Sequence, residues 1–317
     1  MSDKRYEANI IRTTAVEPAN NLETTSAPGV WSLDEVMELQ KKNKWPTVGN
    51  VTTDVTDVFS TFLYTGNGSS SARTFVNGIN LADNGGLVWT KMRSEVADHE
   101  LVSSDSNYLK ELKSNSTQQA FNNSISFVAN NNGYGFSTAN SRWNENTRDM
   151  VSWTFRKTPK FFDIVTYSGT GSAQNISHNL GSVPGMIITK RTDDTSDWAV
   201  YHIGLNSGTN PETKYIRLNL TNAETANSGY WNDTAPTSTQ FTVGANGTVN
   251  TNGATYVAYL FAHNNNDGGF GPDQDADIIK CGSYTNSGSG VEVNLGFEPQ
   301  FMMFKRTDAT SNWSVVD

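Results

Sequence analysis

The chain has 317 residues, 36% hydrophobic and only 17% charged, with a net charge of −9. That length suggests two or three domains, and an acidic chain without a basic, aromatic-interleaved stripe argues against nucleic-acid binding. No apolar run approaches the roughly 18 residues of a membrane span, and an aromatic content of 11%, eight Trp included, excludes a disordered chain.

The start, Met1-Ser2-Asp3-Lys4-Arg5-Tyr6, is polar and carries no signal-peptide apolar region. It predicts a protein made in a cytoplasm and not exported by that route. Residues 1–55 read as an extended arm. Within it, Ser32-Leu33-Asp34-Glu35 forms a capping box ahead of a short amphipathic helix carrying Val36, Met37 and Leu39. Lys41, Lys42 and Lys44 suit the C-terminal end of the helix dipole, and Pro46 ends the element. A helix of about three turns does not hold itself folded in water. Trp31, Val36, Leu39 and Trp45 are therefore the candidate anchoring residues, expected to dock on a partner.

From about residue 57 the chain repeats itself. Alternating strands ending in Gly-containing turns open at Val58, Phe161 and Ile278. A second strand recurs as Gly86-Leu87-Val88-Trp89-Thr90-Lys91, as Gly185-Met186-Ile187-Ile188-Thr189-Lys190-Arg191 and as Gln300-Phe301-Met302-Met303-Phe304-Lys305-Arg306. The last two continue almost identically to Trp198 and Trp313. The closing strand Met150-Val151-Ser152-Trp153-Thr154-Phe155 matches Tyr256-Val257-Ala258-Tyr259-Leu260-Phe261. A period of about 100 residues suits a whole domain rather than a solenoid unit. The expected fold class is all-β, with tandem jelly-roll or β-sandwich modules behind the arm. The expected divisions are an arm at 1–55, a first module at 56–158, a second at 159–265, and a linker with an incomplete third module at 266–317. The short junction Lys157-Thr158-Pro159-Lys160 predicts close, stiff packing, whereas His263 to Asp277 reads as a looser linker. Two strands alone are marginal, so the third module is expected to continue or to pair with another subunit.

Little catalytic chemistry stands out. His99, His178, His202 and His263 form no metal spacing and read as structural or surface residues. Asp273, Asp275 and Asp277 alternate like half a calcium loop, but strand residues replace the required glycine and no spaced Glu follows, so solvated linker charge is favoured. No nucleophile elbow appears, and Cys281, the sole cysteine, sits in an alternating strand as a small core residue. No cofactor, metal or catalytic residue is expected. Trp143, Trp198, Trp231 and Trp313 lie near polar loops and are the candidate surface or ligand contacts, set against packing at the sandwich edge. The matching positions of Trp198 and Trp313 point to a shared structural job.

The segment Ser26-Ala27-Pro28-Gly29-Val30-Trp31-Ser32-Leu33-Asp34-Glu35 resembles the N-terminal signature of marine phage, especially cyanophage, structural proteins. The strings Asn179-Leu180-Gly181-Ser182-Val183-Pro184-Gly185 and Asn294-Leu295-Gly296-Phe297-Glu298-Pro299-Gln300 are similar to repeated modules of phage tail fibres and other virion proteins. The resemblance implies concanavalin-like jelly-roll modules and a place in the virion, after synthesis in the host cytoplasm. The leading expectation is a tail fibre or fibre-like appendage that is not an enzyme. Its arm binds other virion proteins and its modules face a host-surface glycan or neighbouring subunits. A capsid decoration protein and a polysaccharide-degrading tailspike are the alternatives. Modest cores, unpaired strand edges and the trimeric habit of phage fibres together give an expected homotrimer.

Overall fold

The computed structural model describes residues 31–42, 53–104, 110–122, 125–136, 141–271, 274–286, 288 and 290–317. It divides into two compact units, residues 1–53 with 272–274, and residues 54–271 with 275–317. The first contains helix α1 (Leu33–Lys41). Its capping box is formed: the Glu35 carboxylate accepts from the Ser32 N–H at 2.8 Å, and the Ser32 hydroxyl accepts from the Glu35 N–H at 3.3 Å. Trp31 and Val36 are half-buried and Leu39 is buried, while Leu33 and Met37 are exposed. Trp45, Lys44 and Pro46 lie outside the described residues.

The second unit is all-β. Its first repeat runs β1 (Phe59–Thr65), β2 (Arg73–Val76), β3 (Gly86–Met92), β4 (His99–Ser103), β5 (Lys110–Lys113), β6 (Phe121–Asn122), β7 (Phe127–Asn130), β8 (Gly133–Phe136) and β9 (Asp149–Arg156). A six-stranded sheet, β1-β9-β3-β4-β5-β6, faces a three-stranded sheet, β2-β8-β7. The second repeat copies the plan with β10 (Phe162–Ser168), β11 (Gln174–Ser177), β12 (Pro184–Arg191), β13 (Trp198–His202), β14 (Lys214–Arg217), β15 (Thr225–Ala226), β16 (Gln240–Val243) and β17 (Thr255–Ala262). Its large sheet is β10-β17-β12-β13-β14-β15 and its small one β11-β16. In both repeats the closing strand pairs antiparallel between the first strand and the recurrent Lys-ended strand, which is why those three strings stand out in the sequence.

Alternation splits each large sheet between two cores. In β3, Val88 and Met92 pack under the small sheet with Tyr64, Phe75, Tyr134 and Trp143, whereas Leu87 and Trp89 point the other way. In β17, Ala258, Leu260 and Ala262 face their own small sheet, and Val257, Tyr259 and Phe261 face outward from it. The outward faces of the two large sheets meet in one shared core. A strand buried on both faces reads as a nearly continuous apolar run, and Tyr256 to Ala262 is such a run. Phe155 and Phe261, at matching positions of the closing strands, touch edge to face at 5.4 Å.

The segment after β17 departs from the loose linker expected for His263 to Asp277. Asn264 is fully buried; its amide donates to the Lys160 carbonyl and its oxygen accepts from the N–H groups of Ile278 and Ile279. Phe270 enters the shared core, and Lys160 holds the Asp267 carbonyl at 2.7 Å. Cys281 is buried, as expected of a small core residue, and burial pushes its thiol up to about 12. The strand expected to open at Ile278 is not formed: residues 278–286 run without regular pairing. The third repeat forms an antiparallel pair, β18 (Met302–Lys305) with β19 (Trp313–Val316). The pair is not left on its own. Met303, Trp313 and Val315 pack onto the shared core, and Phe301 lies 5.4 to 5.9 Å from Trp153, Phe155 and Phe59.

Candidate functional site

Three of the four loop tryptophans are core residues, which corrects their reading as surface contacts. Trp143 and Trp198 are 0% exposed and Trp231 is 2% exposed. Each ring leaves a polar stretch of chain and turns inward. A helical turn at Ser141–Asn144 carries Trp143 beneath the sheet, where its indole N–H meets the buried Glu111 carboxylate at 3.2 Å. Trp231 lies edge-on to Tyr201 at 6.0 Å. Trp198 crosses to the first repeat, and its indole N–H donates to the carbonyls of Lys113 and Ser116 at 3.1 and 3.0 Å. Trp313 is half-buried and does the same one repeat later, donating to the Arg217 carbonyl at 2.8 Å.

That correspondence extends to the whole junction. Between the first and second repeats, Ser196 N–H and Lys190 Nζ reach the Thr117 carbonyl at 2.9 and 3.3 Å, and Ala120 N–H reaches the Thr192 carbonyl at 3.0 Å. Between the second and third, Ser311 N–H and Lys305 Nζ reach the Thr221 carbonyl at 2.9 and 3.0 Å, and Glu224 N–H reaches the Thr307 carbonyl at 2.8 Å. The near-identical strings ending in Trp198 and Trp313 were the sequence trace of this junction.

A cleft of about 470 Å³ opens beside it. Its walls come from Trp89, Trp153, His99, Lys91 and Arg93 of the first repeat, Leu218 to Thr221 of the second, and Met303, Trp313, Val315 and Asp317 of the third. Trp89 and Trp153 cross at 89° with centroids 6.0 Å apart, and each is 3% exposed, so little of either ring is open to the cleft. The indole N–H of Trp89 donates to His99 Nδ1 at 3.0 Å, and that of Trp153 donates to the Asp317 carboxylate at 3.2 Å. Burial, reinforced by Lys91, lowers the His99 pKa to about 4. Accepting at Nδ1 places the proton of the neutral ring on Nε2. The cleft thus combines an apolar floor, a charged lining of Lys91, Arg93 and the Asp317 carboxylate, and one ring N–H. Of its residues only Trp313 was a candidate contact in the sequence; Trp89, Lys91, Trp153 and Met303 stood out there as parts of repeat strands and His99 as a structural histidine.

The other histidines serve the backbone. Nδ1 of His178, His202 and His263 accepts from the N–H groups of Leu180, Gly204 and Cys281 respectively. Asp277 accepts from the N–H groups of Asn266 and Gly268, and Asp273 lies outside the described residues. Among the described residues no group of three or more His, Cys, Asp or Glu is placed to hold a metal ion.

A buried acidic pair lies in the first sandwich. Glu100 of β4 sits 3.6 Å from the Arg142 guanidinium and 4.0 Å from Lys113 Nζ, and Glu111 of β5 sits 3.2 Å from Arg142. Burial raises the Glu100 pKa from 4.5 to about 7, despite the opposing pull of Arg142 and Lys113. A folded-state pKa raised above the unfolded value contributes stability that is present below pH 4.5 and is lost as pH rises through 7. Glu100→Gln, which mimics the protonated acid, is expected to be near neutral at pH 4.5 and to stabilise by about 1–3 kcal/mol at pH 8. Urea unfolding at the two pH values checks this. Equal effects at both would mean that Arg142 and Lys113 fully offset the desolvation.

A family model described as a domain of unknown function, DUF7483, matches residues 54–317. The chain belongs to the DUF7483 family. No curated protein and no solved structure matches it. The DUF7483 match begins at Asp54, where the repeat-bearing unit also begins, so both sandwiches, the β18–β19 pair and the cleft all fall inside the family's stretch and α1 falls outside it.

Proposed function

We propose that this chain is a structural protein of a bacteriophage virion, a tail fibre or fibre-like appendage that acts by holding and presenting surfaces rather than by turnover. The observation that carries the reading is the shared core. Two sandwiches and a third hairpin are joined through apolar sheet faces and matched backbone hydrogen bonds, a construction suited to bearing load. Flexible linkers would serve a tethered catalyst better. The sequence resemblance of the arm and of the repeated strings to virion proteins supplies the setting.

Helix α1 is the proposed attachment element, and other virion proteins are its proposed partners. Leu33, Val36 and Met37 stand at i, i+3 and i+4 and make an apolar stripe; Leu33 is 74% and Met37 45% exposed. Deleting residues 1–50 is expected to leave the β unit folded, with unchanged circular dichroism, and to remove the protein from purified particles. Undiminished incorporation would sink the anchoring role. Labelling the chain in a reconstructed particle tests the assignment itself, and a position on the capsid shell would replace a fibre with a decoration protein.

A further inference from the structure

Three elements repeat at each junction: a Lys-ended strand, the turn and ring that follow it, and the strand-and-loop of the preceding repeat that docks there. The third repeat presents the first two to the second repeat. The first repeat carries the same receiving surface. Lys91 aligns with Lys190 and Lys305, Arg93 with Thr192 and Thr307, Ala97 with Ser196 and Ser311, and His99 with Trp198 and Trp313. Three of these four, Lys91, Arg93 and His99, line the cleft.

We infer that the cleft is the docking site for a third copy of the strand-and-loop that Lys113–Ala120 and Arg217–Glu224 supply, contributed by the third repeat of the same polypeptide, so that three repeats close a ring around the shared core. Leu87, Met186 and Phe301, at one repeat position, all pack on that core, and the third repeat already touches both others, through Phe301 on Trp153 and through Trp313 on Arg217. At the filled junctions a lysine Nζ bonds a carbonyl of its own repeat and one across the junction: Lys190 holds those of Arg191 and Thr117, and Lys305 those of Ser311 and Thr221. Lys91 bonds within its own repeat, to the Met92 carbonyl at 2.6 Å and more weakly to that of Glu95 at 3.4 Å, and among the described residues it reaches no carbonyl across a junction. The His99 ring substitutes for tryptophan without losing the function. Its Nδ1 is occupied by Trp89, so Nε2–H is left to donate to the incoming carbonyl, as the Trp198 and Trp313 indoles do. A second copy of the chain could offer the same element, but only the third repeat continues the order in which each repeat receives the strand of the one before.

The direct test extends the chain in register. Asp317 aligns with His202, so residues 203–226 are appended after Asp317 as the third strand-and-loop. The expected results are a melting midpoint raised by about 3 °C or more, at least a tenfold fall in acylation of the Lys91 amine read by mass spectrometry, and a monomer by light scattering. A synthetic peptide of residues 110–122, added to the unextended chain, is expected to protect Lys91 saturably where a scrambled peptide does not, which keeps the test alive if the extended chain misfolds. Unchanged Lys91 reactivity with both would overturn the docking site. An unextended chain that self-associates, with Lys91 protected in the oligomer, would assign the cleft to a second copy and overturn the intrachain ring.

Discussion

Replacing Trp198 with alanine is expected to cost about 4 kcal/mol and to loosen the first sandwich from the second. The ring is completely buried, stacks at 6.4 Å on Tyr259, and fills the shared core between β13 and the first repeat. Removing so large a side chain costs about 3–5 kcal/mol in lost transfer energy and residual cavity. The Ser116 carbonyl also loses its indole donor, a net effect of about 1 kcal/mol where water does not replace it, while the Lys113 carbonyl keeps the Ser116 N–H. Trp198→Phe separates the two contributions. It keeps most of the apolar volume and loses the N–H with a small part of the ring, so about 1–2 kcal/mol is expected. Guanidinium unfolding with one probe in each repeat reads both outcomes. The parent is expected to unfold in one coincident transition, because a common core couples its halves. In the alanine variant the two probes are expected to separate. Coincident transitions and a loss under about 1 kcal/mol would mean that the repeats do not depend on this ring.

The all-β architecture was legible because each strand carries its own signature. Alternation over Val58 to Tyr64 and Phe162 to Tyr167, closed by Gly66 and Gly169, is local information. The capping box at Ser32 and Glu35 is local too. The shared core was only half legible. Tyr256 to Ala262 announces a strand buried on both faces, but nothing in the string says that the second cover is another repeat. The three buried tryptophans show the same limit. Polar neighbours placed Trp143 in a loop, whereas its partner Glu111 lies 32 residues away and is invisible to any local pattern. The cleft was hidden for a different reason. The first repeat reads Ser94-Glu95-Val96-Ala97-Asp98-His99 where the others read close variants of Asp193-Asp194-Thr195-Ser196-Asp197-Trp198, so the equivalence of His99 and Trp198 emerges only from matching strand registers, Lys91 with His99 and Lys190 with Trp198.

Asn250→Ala is expected to be as damaging as losing Trp198, about 3–5 kcal/mol, although it removes a small polar side chain. Asn250 is fully buried. Its amide oxygen accepts from the Thr170 N–H and from Gln174 Nε2, both at 2.8 Å, and its amide nitrogen donates to the carbonyls of Ser172 and Gly244 at 2.6 and 2.7 Å. All four hydrogen-bonding positions of the side chain are therefore used. Truncation strands backbone groups from two segments, and each buried group left unpaired costs about 1–3 kcal/mol. The backbone has little room to relax, since a Cβ on Gly169 would stand 2.1 Å from the Thr251 carbonyl oxygen. The first repeat has the same knot. Asn144 accepts from the Asn67 N–H and Arg73, and donates to the Ser69 carbonyl and the Asn67 side chain. Its Arg73 partner is half-buried and can regain water, so Asn144→Ala is expected to cost less than Asn250→Ala. Asn250→Asp isolates the hydrogen bonds from the shape. Ionised, it points a carboxylate at two carbonyls that had received N–H donors, which raises its folded pKa. Its stability deficit should therefore grow as pH rises through that pKa and shrink toward acid, a slope that the alanine variant lacks. Urea unfolding of both variants between about pH 4 and 8, normalised to the parent at each pH, measures the slope. Parallel profiles for Ala and Asp, with losses under about 1 kcal/mol, would show that the two carbonyls do not need the Asn250 donor.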